Sequence, residues 1–420
     1  MKSGFYTIMA AQFFSSLADN ALLIAAMALL TSIGSPHWMP PLLKLFFVLS
    51  YVLLAPFVGA FADSLPKGKV MLITNMIKVG GCALMFFNIH PLIAYAVVGF
   101  GAAAYSPAKY GILTELLPPE KLVAANGWIE GLTVSSIIFG TVLGGALVNS
   151  RVSSVLLNFD FPLIDFNITT PSEAALCVVT ACYATAALFN MRIPDTGARY
   201  KHQQRNPAKL ITEFAECVTI LWKDRLGQIT LGVTTLLWGT AATLQFIVLE
   251  WAKQSLHMKL DQAAILQGVV AVGVALGAVA AARFVPLKKS LNVMPLGVAM
   301  GLVVITMIFV HNIWVAYPLL ILVGALAGFF VVPMNALLQH RGHVLMSAGH
   351  SIAVQNFNEN LSVLTMLAIY TLLNSMNMDI MVIIVLFGLF VSSTIYAVIR
   401  KHMANQREYD SLALIGEHKH

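Results

Sequence analysis

Residues 59–69 read Gly-Ala-Phe-Ala-Asp-Ser-Leu-Pro-Lys-Gly-Lys. The stretch places one acid, Asp63, before a proline and two bases, Lys67 and Lys69, after it, and an apolar run lies on each side. Such a short charged turn between two long apolar runs is typical of a membrane-surface loop that joins two transmembrane helices. We expect Asp63 to pair with the bases that follow, so these three charges are predicted to be structural or gating groups.

The composition of the whole chain agrees with a membrane protein. Of its 420 residues, 58% are hydrophobic and only 10% are charged, and the mean hydropathy is +0.81. Soluble domains carry about 25% charged residues, so that class is excluded. Continuous apolar runs of about 20 residues favour helices over a membrane β-barrel. We predict an all-α protein with twelve spans, at 5–33, 42–62, 70–88, 92–113, 121–148, 172–191, 226–250, 263–285, 291–311, 314–338, 347–374 and 378–399.

The distribution of charge predicts the orientation and the domains. The formal net charge is +6, and most of the 25 lysines and arginines fall in alternate loops, which places those loops and both termini in the cytoplasm. A long basic segment, 192–225, contains an amphipathic pattern that begins at Asn206-Pro207 and predicts an interfacial helix. The predicted domains are two six-helix bundles (1–191 and 226–400) around this linker (192–225), with a cytoplasmic tail (401–420).

The second half echoes the first. Gly277, Arg283 and Lys288 repeat the glycine and the basic turn of the opening stretch, although the acid is absent. Pro107 and Pro333 stand in small-residue segments of corresponding spans. Parallel six-helix repeats related by pseudo-symmetry are therefore predicted.

Two pairs of glycines at helical spacing predict close helix contacts. They are Gly140-x3-Gly144 on the fifth span and Gly273-x3-Gly277 on the eighth. One hypothesis is that these spans meet each other along a seam between the halves. The alternative is that each pair packs inside its own half.

Four charged residues lie within the apolar runs, namely Asp19, Lys78, Glu130 and Glu359. A charge at the bilayer centre costs at least about 2.5–3.5 kcal/mol, so such residues pair or line a polar path. We predict Asp19, Glu130 and Glu359 as substrate-binding residues. For Asp19 the alternative is a structural pair buried within the first half, and for Glu130 it is a structural role. For Lys78 an ion pair with one of the acids and a substrate contact remain alternatives. Three acids against one base suit an amine-bearing group or a proton.

Neutral polar residues extend this candidate site. Asn20 lies next to Asp19, and Gln245 lies on the seventh span. The segment 355–360, Gln-Asn-Phe-Asn-Glu-Asn, has five polar residues in six and predicts a face toward an aqueous cavity, with Gln355 as a substrate contact. Lys109 is a further candidate structural or gating base.

Signatures of enzyme chemistry are absent from the sequence. No Gly-x4-Gly-Lys-Ser/Thr loop for nucleotide phosphates occurs. His257-x3-Asp261 is one residue short of an acyltransferase His-x4-Asp pattern. We therefore predict no catalytic residue, metal or cofactor.

Longer motifs occur in both halves of the chain. They are Phe14-x4-Asp19-Asn20-Ala-Leu-Leu23, Ala55-Pro-Phe-Val-Gly59-x3-Asp63-Ser64, Ala104-Tyr-Ser-Pro-Ala-Lys-Tyr-Gly-Ile-Leu113 with Glu115, Ala125-Asn-Gly127 with Glu130, Phe329-Phe-Val-Val-Pro-x-Asn-Ala-Leu-Leu-Gln339 and Ala353-Val-Gln-Asn-x2-Glu-Asn360. Together these motifs resemble the lysophospholipid transporter (LplT) family of the major facilitator superfamily. The resemblance runs from about residue 5 to residue 400.

This resemblance implies a function and a partner. Members of the family are flippases that move lysophosphatidylethanolamine and lysophosphatidylglycerol from the outer to the inner leaflet of the bacterial inner membrane, by alternating access with lateral lipid entry. A cytoplasmic acyltransferase/acyl-carrier-protein synthetase then reacylates them. Here that enzyme is expected to be a separate protein and not a part of this chain. The alternative function is a proton-coupled exporter of amphipathic drugs or small solutes.

One position departs from the family pattern. Gln245 stands on the seventh span where the family pattern leads us to expect a base. The phosphate of a lysophospholipid would then have to meet Lys78, Lys109 or Arg341, or else amide and hydroxyl donors.

Overall fold

The computed structural model describes residues 3–36, 39–157, 170–200, 203, 206–258 and 260–415. The end of the predicted tail (416–420) and parts of the predicted linker (201–202 and 204–205) lie outside these residues. The described residues form α-helices joined by short 3-10 turns, and no strand occurs among them. The helices are α1 Ser3–Ser32, α2 Pro40–Leu53, α3 Ala55–Ser64, α4 Lys67–Phe86, α5 Pro91–Leu116, α6 Leu122–Val148, α7 Ser150–Leu157, α8 Pro171–Met191, α9 Pro207–Lys223, α10 Gly227–Ser255, α11 Leu260–Phe284, α12 Met294–Ile305, α13 Ile313–Leu345, α14 Ala348–Ser375 and α15 Ile380–Glu408.

Most of the predicted spans are confirmed as long apolar helices. Within the described part of the chain, ten helices are long and apolar enough to cross a membrane, and α2 with α3 makes an eleventh if the two form one bent span. The remaining predicted span, 347–374, corresponds to α14. That helix has 28 residues, but its polar segment 355–360 keeps it out of the apolar set.

The second predicted span, 42–62, is broken. Instead of one helix, α2 and α3 meet at Leu54 with a bend of 67°. Pro56 lies in the first turn of α3. A proline inside a continuous helix would remove one backbone hydrogen bond and clash with the preceding turn, so the helix ends and restarts here.

Polar side chains fix the start of several helices. Thr170 accepts a hydrogen bond from the backbone N–H of Glu173, whose carboxylate in turn accepts from the N–H of Thr170, which makes a capping box at α8. Ser347 and Asp379 cap α14 and α15 from one side only, because each side chain accepts a hydrogen bond from a backbone N–H of the first turn. These caps satisfy backbone donors that the helices leave open at their first turn.

The contacts divide the chain into two compact units. Unit 1 contains Met1–Ile112 and Ser135–Ile211, and unit 2 contains Leu113–Val134 and Thr212–His420. The end of α5 and the first half of α6 therefore belong to unit 2, while the rest of both helices belongs to unit 1.

Unit 1 is built around α8, which packs along α1 and α4. Its apolar core includes Leu22, Val98 and Tyr183, all fully buried. The second half of α6 lies against α1. A Cβ atom added at Gly140 would lie 2.6 Å from the carbonyl oxygen of Leu17, so the two backbones approach closely at this glycine.

Unit 2 is built from three tight helix pairs: α11 with α13, α10 with α14, and α12 with α15. At Gly273 and Gly277 of α11 an added Cβ would collide with the backbone carbonyls of Ile321 and Ala325 in α13. The glycine pair of the fifth span likewise packs on α1. Each glycine pair therefore packs inside its own unit, as the alternative predicts. The fifth and eighth spans do meet, but at Gly127 of α6, where an added Cβ would lie 2.5 Å from Ala282 of α11.

The helix predicted after Asn206 is confirmed as α9, and its place at the membrane interface stays a prediction. Its buried residues are Phe214, Cys217 and Leu221, one turn apart. The ring of Phe214 lies edge-on to that of Phe357 in α14, with centroids 5.4 Å apart. The apolar face of α9 is thus only partly buried, because Phe214 is buried while Ile211 stays largely exposed.

We predict that Gly277→Ala destabilises the protein. The new methyl group must displace the α13 backbone, and overpacking of this kind costs about 1–3 kcal/mol. The measurement is the melting temperature of the purified protein in detergent.

Gly268→Ala is the matched control for Gly277→Ala. It lies on the same helix with no neighbouring atom within 4 Å of the added Cβ. Equal melting temperatures of the two variants would contradict the close contact.

Candidate functional site

Asp19 and Lys78 form an ion pair in the core of unit 1. The Lys78 Nζ lies 2.9 Å from each carboxylate oxygen of Asp19 and donates to Ser15 Oγ at 3.1 Å. The hydroxyl of Tyr183 donates to Asp19 at 2.7 Å. The side chain of Lys78 is 1% exposed and that of Asp19 is 21% exposed. Lys78 is therefore enclosed, and Asp19 is the member of the pair that presents surface.

Asn20 and the loop charges have local partners. The amide of Asn20 donates to the carbonyl of Ser16 on the same helix, at 2.8 Å. Lys67 Nζ lies 2.6 Å from Asp63 and also donates to the Ala62 carbonyl. The expected pairing of Asp63 is confirmed with Lys67, while Lys69 is exposed. Because both members of the pair are buried, it holds the turn between α3 and α4 rigidly.

Glu130 and Gln245 line the same cavity within unit 2. The cavity lies among α10, α11 and α13, with Met300 of α12 and Glu130 of α6 also on its wall, and it holds about 780 Å³ of space that includes its open side. Gln267 completes its polar lining and donates to the backbone carbonyl of Gln245 at 2.8 Å. The rest of the lining is apolar or hydroxyl-bearing: Leu237, Trp238, Thr240, Ala241, Leu244, Val248, Val270, Val274, Val323, Gly324, Ala327 and Val331.

Gln355 and Glu359 form a second polar group in unit 2. Gln355 donates to Glu359 at 2.7 Å and to the side-chain oxygen of Asn335 in α13 at 3.0 Å. All three side chains are buried, and neither Gln355 nor Glu359 is among the residues that line the cavity above. The polar segment does not present a single face, because Asn358 accepts from the indole N–H of Trp222 in α9.

The bases proposed for a phosphate are engaged elsewhere. Arg341 donates two hydrogen bonds to Asp224, at 3.0 and 2.8 Å, and this bidentate pair is almost fully buried. Lys78 is held by Asp19, and Lys109 Nζ lies over the Tyr110 ring at 4.2 Å. The hydrogen-bond donors that remain for a phosphate on the cavity wall are neutral side chains such as Gln245.

The amides of Asn126 and Gln339 donate to each other, both at 2.9 Å, and both side chains are buried. Gln339 and Tyr183 were not singled out from the sequence. An isolated tyrosine or glutamine in an apolar run carries no positional signal, because its importance depends on which distant helix supplies its partner.

Comparisons with known proteins assign the family. A model of the Major Facilitator Superfamily matches residues 8–362. The Lysophospholipid transporter LplT of Yersinia enterocolitica is 40% identical over 373 residues, which cover 88% of this chain and 87% of the relative. The protein of the same name from Escherichia fergusonii is 42% identical over 371 residues, which cover 88% of each chain.

Solved structures show the same fold at low sequence identity. A bacterial homologue of the iron transporter ferroportin, in an outward-facing state, is similar with a TM-score of 0.72 and 14% identity, over 96% of this chain and 100% of that one. The transporter FucP in its outward conformation has a TM-score of 0.72 and 14% identity, over 95% of this chain and 98% of that one. The chain belongs to the major facilitator superfamily and, within it, to the family of lysophospholipid transporters named LplT.

Proposed function

We propose that this protein carries lysophospholipids from the outer to the inner leaflet of a bacterial inner membrane. The observation that carries the proposal is the 40–42% identity to transporters of that name along nearly nine-tenths of both chains. Lysophosphatidylethanolamine and lysophosphatidylglycerol are the proposed substrates. The protein acts as a carrier and not as an enzyme.

The membrane arrangement is twelve spans in two six-helix bundles, with both termini in the cytoplasm. In this arrangement α14 is the eleventh span in chain order and completes the set of twelve, and its 28 residues give about 42 Å of helix, enough to cross. Its polar side chains are compatible with crossing because Gln355, Glu359 and Asn358 bond within the protein. The excess of lysine and arginine in alternate loops supports the orientation.

Transport proceeds by alternating access of the two bundles, 1–191 and 226–400, with the linker 192–225 between them. The lipid enters sideways from the membrane. Buried pairs such as Asp63–Lys67 act as structural or gating contacts, and Lys69 and Lys109 belong to the same group of loop and helix-end bases.

The head group is bound by Asp19, Asn20, Glu130, Gln245, Gln355 and Glu359. Asp19 contacts the cationic amine, and Lys78 and Tyr183 position its carboxylate. The phosphate meets amide and hydroxyl donors, Gln245 among them, since Lys78 and Arg341 are already paired. Lipid delivered to the inner leaflet is reacylated by a separate cytoplasmic acyltransferase/acyl-carrier-protein synthetase.

Transport of different lipids by the purified protein tests the substrate class. The purified protein in liposomes moves labelled lysophosphatidylethanolamine between leaflets, and we expect a diacyl lipid to move at least about tenfold more slowly, since every methylene of a second chain that is left in a polar path costs about 0.8 kcal/mol. Equal rates for both lipids would contradict the proposal. Export of an amphipathic dye that stops when the proton gradient is collapsed, without lysolipid movement, would favour the exporter instead.

The second prediction separates binding from stability at Asp19. Asp19→Asn leaves the Lys78 ammonium buried without its counter-charge, and breaking such a pair costs about 3–5 kcal/mol. The double variant Asp19→Asn/Lys78→Met removes both charges, so we expect its protein level and melting temperature to recover.

Transport by the double variant then decides the role of Asp19. If the carboxylate binds the amine, transport of lysophosphatidylethanolamine stays at least tenfold below wild type. Full transport by the folded double variant would reduce Asp19 to a structural partner.

A further inference from the structure

The cavity among α10, α11 and α13 differs from two apolar cavities elsewhere in the described residues. A second cavity, between α4 and α8 of unit 1, is lined almost entirely by apolar side chains such as Phe86 and Ala184. A third, among α10, α14 and α15, is equally apolar. Among these three, the α10–α11–α13 cavity alone joins an apolar wall to a carboxylate, that of Glu130.

We propose that the α10–α11–α13 cavity holds the single acyl chain of the lysophospholipid during transport, with the head group at its polar lining of Glu130, Gln245 and Gln267. This inference rests on the proposed function and assigns a place to the part of the substrate that the polar residues leave unexplained.

The shape of the cavity suits one chain. Its lining on α10 runs from Leu237 to Val248, about 16 Å along the helix. The space of about 780 Å³ includes the open side of the cavity, through which an acyl chain can enter. An apolar wall with a polar edge matches an amphiphile with one tail.

The physical role of the cavity follows from the fact that the acyl chain enters it from the bilayer. Moving an acyl chain from the bilayer into an apolar cavity gains little, because both surroundings are apolar. Leaving it in a polar path instead disfavours transport about fourfold for each methylene in contact with water. The cavity therefore shelters the chain while the head group crosses, and longer chains need that shelter more.

Two donors in the wall give a second, independent observation. The indole N–H of Trp238 and the hydroxyl of Thr240 have no hydrogen-bond partner among the described residues. Thr240 is 3% exposed, so water does not reach it in this conformation. A buried donor without a partner is costly. The ester and glycerol oxygens next to the acyl chain supply such partners once these side chains turn toward the cavity.

The test is to fill the cavity and measure the dependence of transport on chain length. Ala327→Phe, or Ala241→Phe from the facing helix, places a ring in the cavity. Initial rates are measured in liposomes for lysophosphatidylethanolamines with long and short acyl chains. We expect the long-to-short ratio to fall at least tenfold, with the short-chain rate much less affected.

Ala184→Phe is the matched control, since it puts the same ring into the cavity between α4 and α8. Its long-to-short ratio should equal that of wild type. An unchanged ratio in both folded filling variants, or a shift caused by Ala184→Phe instead, would overturn the assignment. Absence of all lysolipid transport in the wild type would instead refute the proposed function.

A binding measurement keeps the assignment testable if the filling variants fold poorly. Lysophosphatidylethanolamine with a brominated acyl chain quenches the fluorescence of nearby indoles, and the protein has six tryptophans. We expect wild type to show more quenching than Trp238→Phe, because Trp238 lines the cavity. Equal quenching of the two proteins would place the acyl chain outside this cavity.

Discussion

A polar atom in hydrocarbon has no water to bond, so every polar group that the helices carry into the membrane must find its partner inside the protein. The ammonium of Lys78 shows the consequence most clearly. It is enclosed in unit 1 and is held there by Asp19 and Ser15. Asp63 with Lys67 and Asp224 with Arg341 are buried ion pairs of the same kind at helix ends. Each pair ties one segment to another, and each would be costly to break from one side.

Helix packing without a hydrophobic driving force depends on close backbone approach. In unit 2, Gly277 and Gly328 bring α11 and α13 together so closely that a single Cβ would collide with the facing backbone. The same two helices, with α10, supply the wall of the cavity that holds Glu130 and Gln245. A rigid helix pair thus provides a fixed apolar wall beside the polar residues of the proposed substrate path.

Much of the architecture could be predicted from the sequence because a membrane helix must be apolar along its whole length, which is a local property. The long spans followed from that rule. The linker helix after Asn206 followed from its amphipathic pattern, and the pairing of Asp63 from the bases just after it. The break at Leu54 was missed because a proline at 56 is compatible with either a kinked or an interrupted span. The glycine pairs left two alternatives open, since spacing shows that a contact exists but does not show the partner.

The sequence by itself determined the fold class, the spans, the family and the identity of the costly buried charges, because composition, periodicity and motifs are written along the chain. The tertiary structure alone decided which of these charges are paired inside the protein and which are exposed. It joined Lys78 to Asp19 and Arg341 to Asp224, and it separated Gln355 and Glu359 from the cavity beside Glu130. The physical reason is that a partner 60 or 120 residues away in the chain is selected by packing and hydrogen-bond geometry between helices, which no local pattern encodes.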